Sequence, residues 1–111
     1  MADQRFEVRL TEGAEGDLKA IHTWLAEHRS EEDADTLLES FLEKVATLER
    51  FPSRGGIPKE LGALGIREFR QILMSPYRLI YRVIGDTVFI LVIADGRRDM
   101  QALLEHRLLN R

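Results

Sequence analysis

Cysteine is absent from the 111 residues, so no disulfide, thiolate metal site or thiol redox chemistry is available to this chain. Histidine is scarce, and His22, His28 and His106 lie too far apart for metal-ligand spacing; neither a metal site nor a cofactor is indicated. No uninterrupted apolar run approaches the roughly 20 residues of a membrane helix. Met1-Ala2-Asp3-Gln4-Arg5 lacks the basic-then-apolar order of a secretory leader, so no membrane association and a cytoplasmic location are expected. A P-loop, a nucleophile elbow and paired carboxylates are all missing, which removes the commonest signatures of nucleotide and hydrolytic chemistry. The chain also lacks a strong positive charge. Its formal net charge is -3, whereas affinity built on neutralising phosphates calls for a strongly basic domain, so direct nucleic-acid binding is not favoured.

With 44% hydrophobic and 32% charged residues, the chain fits one domain spanning 1–111, large enough to bury a core. The charge is unevenly placed. Residues 1–65 carry 8 Lys/Arg against 14 Asp/Glu, and residues 66–111 carry 8 against 5, so the C-terminal part is locally basic and open to an acidic partner.

The two most strand-like runs lie there. Tyr77-Arg78-Leu79-Ile80-Tyr81-Arg82-Val83-Ile84 and Thr87-Val88-Phe89-Ile90-Leu91-Val92-Ile93-Ala94 flank Gly85-Asp86, the signature of an antiparallel hairpin with a two-residue turn. Counting outward from that turn predicts Ile84 opposite Thr87, Tyr81 opposite Ile90 and Arg78 opposite Ile93. Alternation then puts Tyr77, Leu79, Tyr81, Val83, Val88, Ile90, Val92 and Ala94 on one core face. Arg78, Ile80, Arg82, Phe89, Leu91 and Ile93 fall on the other. The second run leads directly into Gly96-Arg97-Arg98, which predicts that Arg78 and the Arg97-Arg98 pair lie near one end of the same sheet.

Upstream, Phe6, Val8 and Leu10 alternate with polar residues over 5–10, a strand pattern. Thr11 can cap a helix with Ala14, Leu18, Ile21 and Leu25 on its apolar stripe, running to about His28. Ser30 with Asp33 can cap a second, whose stripe (Ala34, Leu37, Leu38, Phe41, Leu42, Val45, Leu48) ends at Phe51-Pro52. So short a break implies an antiparallel helical hairpin. Residues 52–65, rich in Gly and Pro, read as loop, 66–74 as a strand, and 99–109 as a short helix beginning at Asp99. The predicted fold is α+β: an N-terminal strand, a helical hairpin packed on a mostly antiparallel sheet of about four strands, and a short C-terminal helix. Trp24, Tyr77 and Tyr81 are expected in the core, and Arg82 to lie over apolar sheet.

The segments Tyr77-Arg78-Leu79-Ile80-Tyr81-Arg82-Val83, Gly85-Asp86 and Gly96-Arg97-Arg98-Asp99 resemble the RelE/ParE superfamily of type II toxin-antitoxin toxins. The helix pair, the Gly/Pro loop and Ile66-Arg67-Glu68-Phe69-Arg70 follow in that superfamily's order. The resemblance implies a toxin neutralised by a cognate antitoxin in a hetero-oligomer, and it allows two activities: RelE-like members cleave messenger RNA on the ribosome, whereas ParE-like members poison DNA gyrase. RelE-like chemistry uses two lysines before the hairpin, two arginines, and a tyrosine or histidine in the last helix. This chain retains Arg78 and Arg98, but the lysine positions fall on Phe69 and Gln71 and that of the acid on Leu104. Off-register substitutes would be Arg67 or Arg70 as cations and His106 as acid, though arginine is a poor proton acceptor. The ParE-like branch therefore fits better: a gyrase inhibitor that stabilises its plasmid, with no catalytic residue, and with Arg97, Arg98 and Arg78 contacting the target. The alternatives are a ribonuclease using Arg78 and Arg98, or an inactive binding module. Ile80, Phe89, Leu91 and Ile93 need cover beyond one short helix, which makes them the expected ParD-like antitoxin surface.

Overall fold

A computed structural model describes residues 4–110. In chain order the elements are β1 (Glu7–Leu10), α1 (Glu12–His28), α2 (Glu31–Arg50), α3 (Lys59–Gly62), β2 (Arg70–Met74), β3 (Tyr77–Ile84), β4 (Thr87–Asp95) and α4 (Met100–Leu109). The three longer helices start where the sequence offers an oxygen. Thr11 Oγ1 accepts from Ala14 N at 3.2 Å, Ser30 Oγ from Asp33 N at 3.0 Å, and Asp99 Oδ1 from Ala102 N at 3.1 Å. Each satisfies an amide that would otherwise lack a partner at a helix start. Only Arg29 and Ser30 separate α1 from α2, so the two fold back on one another.

The sheet order is β1-β4-β3-β2, with β1 parallel to β4 and the other pairs antiparallel. Ala14, Leu37, Phe41 and Leu48 from the helices pack on Ile72, Met74, Leu79, Tyr81, Val88 and Ile90. Each fully buried large side chain contributes about 1.5–3 kcal/mol in this main core.

The hairpin departs from simple counting at one residue. Pairing runs from Ile84↔Thr87 to Tyr81↔Ile90 as expected and then resumes at Ile80↔Val92, so Leu91 is an extra residue, a β-bulge. Side-chain parity inverts beyond it. Arg78 pairs with Ala94 rather than Ile93, Ile93 joins Leu79 in the main core, and Val92 and Ala94 move to the opposite face.

That opposite face is a second core rather than an open floor. Ile80, Val92 and Ala94 are covered by Leu61 from α3, Phe69 from the following loop, and Met100 and Leu104 from α4. The stretch 52–65 read as loop contains this short helix, and β2 begins only at Arg70. Gln71 N–H donates to Gly56 O at 2.8 Å, which ties the loop back to the strand.

Candidate functional site

Arg78 stands on the second face, only 8% exposed. Its fork is fully engaged: Nη1 and Nη2 donate to Glu60 Oε2 and Oε1 at 2.8 and 2.7 Å, and Nε and Nη2 donate to Gln71 Oε1 at 2.8 and 2.5 Å. Glu60, brought in by α3, is 9% exposed. The hydrogen bonds from Arg78 hold its carboxyl below the ordinary range against the opposing effect of burial. A bidentate pair of this kind satisfies a planar cation that an apolar face could not otherwise hold.

Phe69 and Leu104, where a lysine and a proton donor would stand in the nuclease branch, are buried together in the second core. Arg70 Nη1 is tied to the loop carbonyls of Ser53 and Gly55 at 3.2 and 2.7 Å. Arg82 lies over the Phe69 ring, 5.8 Å from its centroid. Tyr81 is wholly buried and bridges the loop, its hydroxyl donating to Pro52 O at 2.7 Å and accepting from Gly55 N at 3.0 Å. Burial pushes its pKa up.

Of the residues expected to meet an antitoxin, Ile80 has no exposed surface and Ile93 only 2%. The bulge and the α3–α4 cover account for both. Phe89 and Leu91 remain half-buried.

Arg97 and Arg98 lie elsewhere than the Arg78 fork, although the stem of Arg78 runs beneath their corner: a Cβ at Gly96 would lie 3.1 Å from Arg78 Cδ. The two arginines line a groove of about 580 Å³ between α1 and the end of the β3–β4 hairpin. Its walls include Ile21, Trp24, Leu25, Arg29, Pro76 and Tyr77, with Ile93, Ala94 and Asp95 on the strand side. Trp24, expected in the core, is 52% exposed on the rim, stacked on His28 at 4.8 Å between centroids. Arg97 folds onto Asp95, with Nε and Nη2 donating to Oδ1 and Oδ2 at 2.9 and 2.5 Å, and this pairing pulls the Asp95 pKa down to about 2. The Arg98 side chain makes no hydrogen bond or ion pair among the described residues, leaving its guanidinium available.

Sequence reasoning missed a second ionic cluster at the groove's inner end. Arg107 of α4 donates to Asp17 Oδ1 and Oδ2 at 3.0 and 3.1 Å and to Leu91 O at 3.0 Å, while Asp17 Oδ2 accepts from Ile93 N at 2.9 Å. Its signal was a lone aspartate on the inner side of α1, which an apolar environment tolerates only with a cation. No group of three or more His, Cys, Asp or Glu suited to a metal ion occurs among the described residues.

The family model described as "ParE toxin of type II toxin-antitoxin system, parDE" matches residues 8–100. No curated protein matches the sequence. Among solved structures, the chromosomal ParDE toxin-antitoxin system from P. aeruginosa is similar, with 25% identity and a TM-score of 0.67 over 83% of this chain and 97% of the other. The RelBE2 toxin-antitoxin complex from Mycobacterium tuberculosis is 24% identical with a TM-score of 0.59, covering 82% and 98%. A mutant of the E. coli toxin RelE in the free state is 16% identical with a TM-score of 0.62, covering 96% and 97%. The last two likenesses concern the fold.

Proposed function

Because the chain belongs to the ParE toxin family of type II toxin-antitoxin systems, we propose that it inhibits DNA gyrase by direct protein contact and is neutralised by a cognate ParD-like antitoxin in a hetero-oligomer. The observation that supports contact over RNA cleavage is the state of Arg78. Both edges of its fork are bonded to Glu60 and Gln71, so gripping a phosphate would require breaking a buried bidentate pair. Cleavage by a 2′-hydroxyl also needs a proton acceptor and a donor near the cation. By the resemblance those places fall on Phe69, Gln71 and Leu104, and Phe69 and Leu104 are buried in the second core while Gln71 accepts from Arg78.

The target surface is the groove rim, where Arg98 is free and Arg97 and Trp24 are exposed. An aromatic and arginines around a partly apolar hollow are the residue types that concentrate binding energy at protein interfaces. No helix among the described residues is long and apolar enough to cross a membrane. Action on gyrase places the toxin in the cytoplasm, and the same activity would let the pair stabilise a plasmid that carries it.

The test is supercoiling of relaxed plasmid by purified gyrase with antitoxin-free toxin, without and with antitoxin. Loss of supercoiling, restored by antitoxin, is expected. Unaffected supercoiling at toxin excess ends the reading. New messenger-RNA 5′ ends on translating ribosomes would assign the ribonuclease activity, with Arg78 and Arg98 as its cations. Harmless expression without either effect would mark an inactive binding module.

A further inference from the structure

The corner that carries Arg97 and Arg98 is seated at two points, and both trace back to α3. β4 ends at Asp95, and Gly96 follows two residues past Ala94, the partner of Arg78. Gly96 N–H donates to Pro76 O at 2.9 Å, and the glycine rests on the methylenes of Arg78: a Cβ there would lie 3.1 Å from Arg78 Cδ and 3.3 Å from Cγ. At the corner's other end Met100, the first residue of α4, is buried in the second core with Leu61. Between the two seats Asp95 Oδ1 accepts from Arg97 N–H at 2.9 Å, and Asp95 O from Arg98 N–H at 3.1 Å. Those bonds fix the shape of the turn but not its place on the sheet.

The seat under Gly96 owes its firmness to what lies at its far end. An arginine stem has several rotatable bonds and by itself makes a soft support. Here Glu60 and Gln71 take both edges of the guanidinium, so the stem is held at its strand and at its fork and has one path left. That path sets how close the corner comes to the sheet. Gly96 lies outside the left-handed region, so glycine is needed there for close approach rather than for its backbone angles. Glu60 and Leu61 are neighbours in α3, which therefore supplies both seats.

We infer that Glu60 and Gln71 are positioning residues for the target surface: acting through the Arg78 stem, they set where Arg97 and Arg98 stand. The inference rests on the gyrase reading proposed above and adds to it two residues that do not line the groove.

The test compares wild type with Glu60→Gln, Gln71→Met and a control, Leu48→Ala. Leu48 lies in the main core toward the opposite end of the sheet, where Phe6 N–H donates to Glu49 O. Inhibition of purified gyrase is titrated at equal concentrations of folded toxin. Glu60→Gln should weaken inhibition roughly tenfold and Gln71→Met less, while Leu48→Ala should keep wild-type potency per folded molecule. In isotopically labelled toxin the amide resonances of Gly96, Arg97 and Arg98 should move in the first two variants and stay in the third. Gly96→Ala, which presses on the stem, should move the same resonances in wild type but add little to Glu60→Gln, where the stem can yield. Two independent structural defects would add instead. Unmoved corner resonances in Glu60→Gln, additive effects in the double variant, or an equal loss of potency in Leu48→Ala overturn the inference. If Glu60→Gln does not fold, Gln71→Met decides by the same readouts. A wild-type toxin that leaves gyrase untouched would strike the gyrase reading, and the resonances would still decide whether Glu60 sets the corner.

Discussion

Replacing Glu60 with glutamine tests whether the buried ion pair holds the second core together. Glu60→Gln keeps the shape but removes the charge and turns an amide NH₂ toward a guanidinium that has almost no access to water. Removing one partner of a buried pair costs about 3–5 kcal/mol, and the low end applies because Gln71 still accepts from Arg78. For 111 residues the unfolding entropy is about 0.23 kcal/mol/K, so a loss of about 3 kcal/mol lowers the melting temperature by about 13 °C. The pH dependence gives an independent check. The folded-state pKa of Glu60 is lowered from 4.5, chiefly by hydrogen bonds from Arg78. Its contribution is therefore complete above that unfolded value and lost as pH falls through the depressed folded one. Urea unfolding of both proteins should show a gap that is full at pH 7 and narrows in acid. Glu60→Leu combined with Arg78→Met should recover most of the loss, since well-packed apolar pairs often match buried ionic ones. A Glu60→Gln cost below about 1 kcal/mol, unchanged by pH, would refute the assignment of the pair as the keystone of this face.

Tyr81→Phe should cost about 1–3 kcal/mol in urea unfolding, because Pro52 O and Gly55 N lose their shared buried partner. Gly55→Ala acts on the same joint: its Cβ would sit 2.5 Å from Gln71 O and 2.6 Å from the Tyr81 hydroxyl, so the loop must move, and a drop in melting temperature is expected. Asp17→Ala strips the Ile93 amide of its acceptor and Arg107 of its counter-ion; faster exchange at Ile93 and a loss of about 1–3 kcal/mol are expected, and unchanged exchange would contradict the hold of Asp17 on β4. Arg98→Glu should leave stability within about 0.5 kcal/mol of wild type while weakening inhibition of supercoiling, and full inhibition by this variant would remove Arg98 from the target surface.

What could be read from the chain is what is encoded locally. Thr11, Ser30 and Asp99 start helices because the capping oxygen and the amide it accepts lie three residues apart, and Gly85-Asp86 sets the hairpin register for its first four pairs. The bulge was hidden because an uninterrupted apolar run from Val88 to Ala94 carries no alternation to reveal a skipped step. Glu60 was missed for a different reason. It lies 18 residues from Arg78 in a segment dominated by Gly and Pro, and only the solvation demand of an arginine on an apolar face hinted that a carboxylate had to come from somewhere. Trp24 was misplaced because it widens the apolar stripe of α1 on the side where the helix leaves the sheet and faces the groove.

The extra residue at Leu91 is a place in β4 where a residue could be lost without disturbing either core. Loss of that single codon would restore unbroken alternation, with Ile90 and Val92 as neighbours, Ile93 still opposite Leu79 beneath the helices, and Val92 and Ala94 still on the second face. Arg107 grips the backbone at that residue and Asp17 two residues beyond it, as two pegs fix a folded ribbon, so the path of the strand's end is held by two charged side chains that arrive from opposite ends of the sequence.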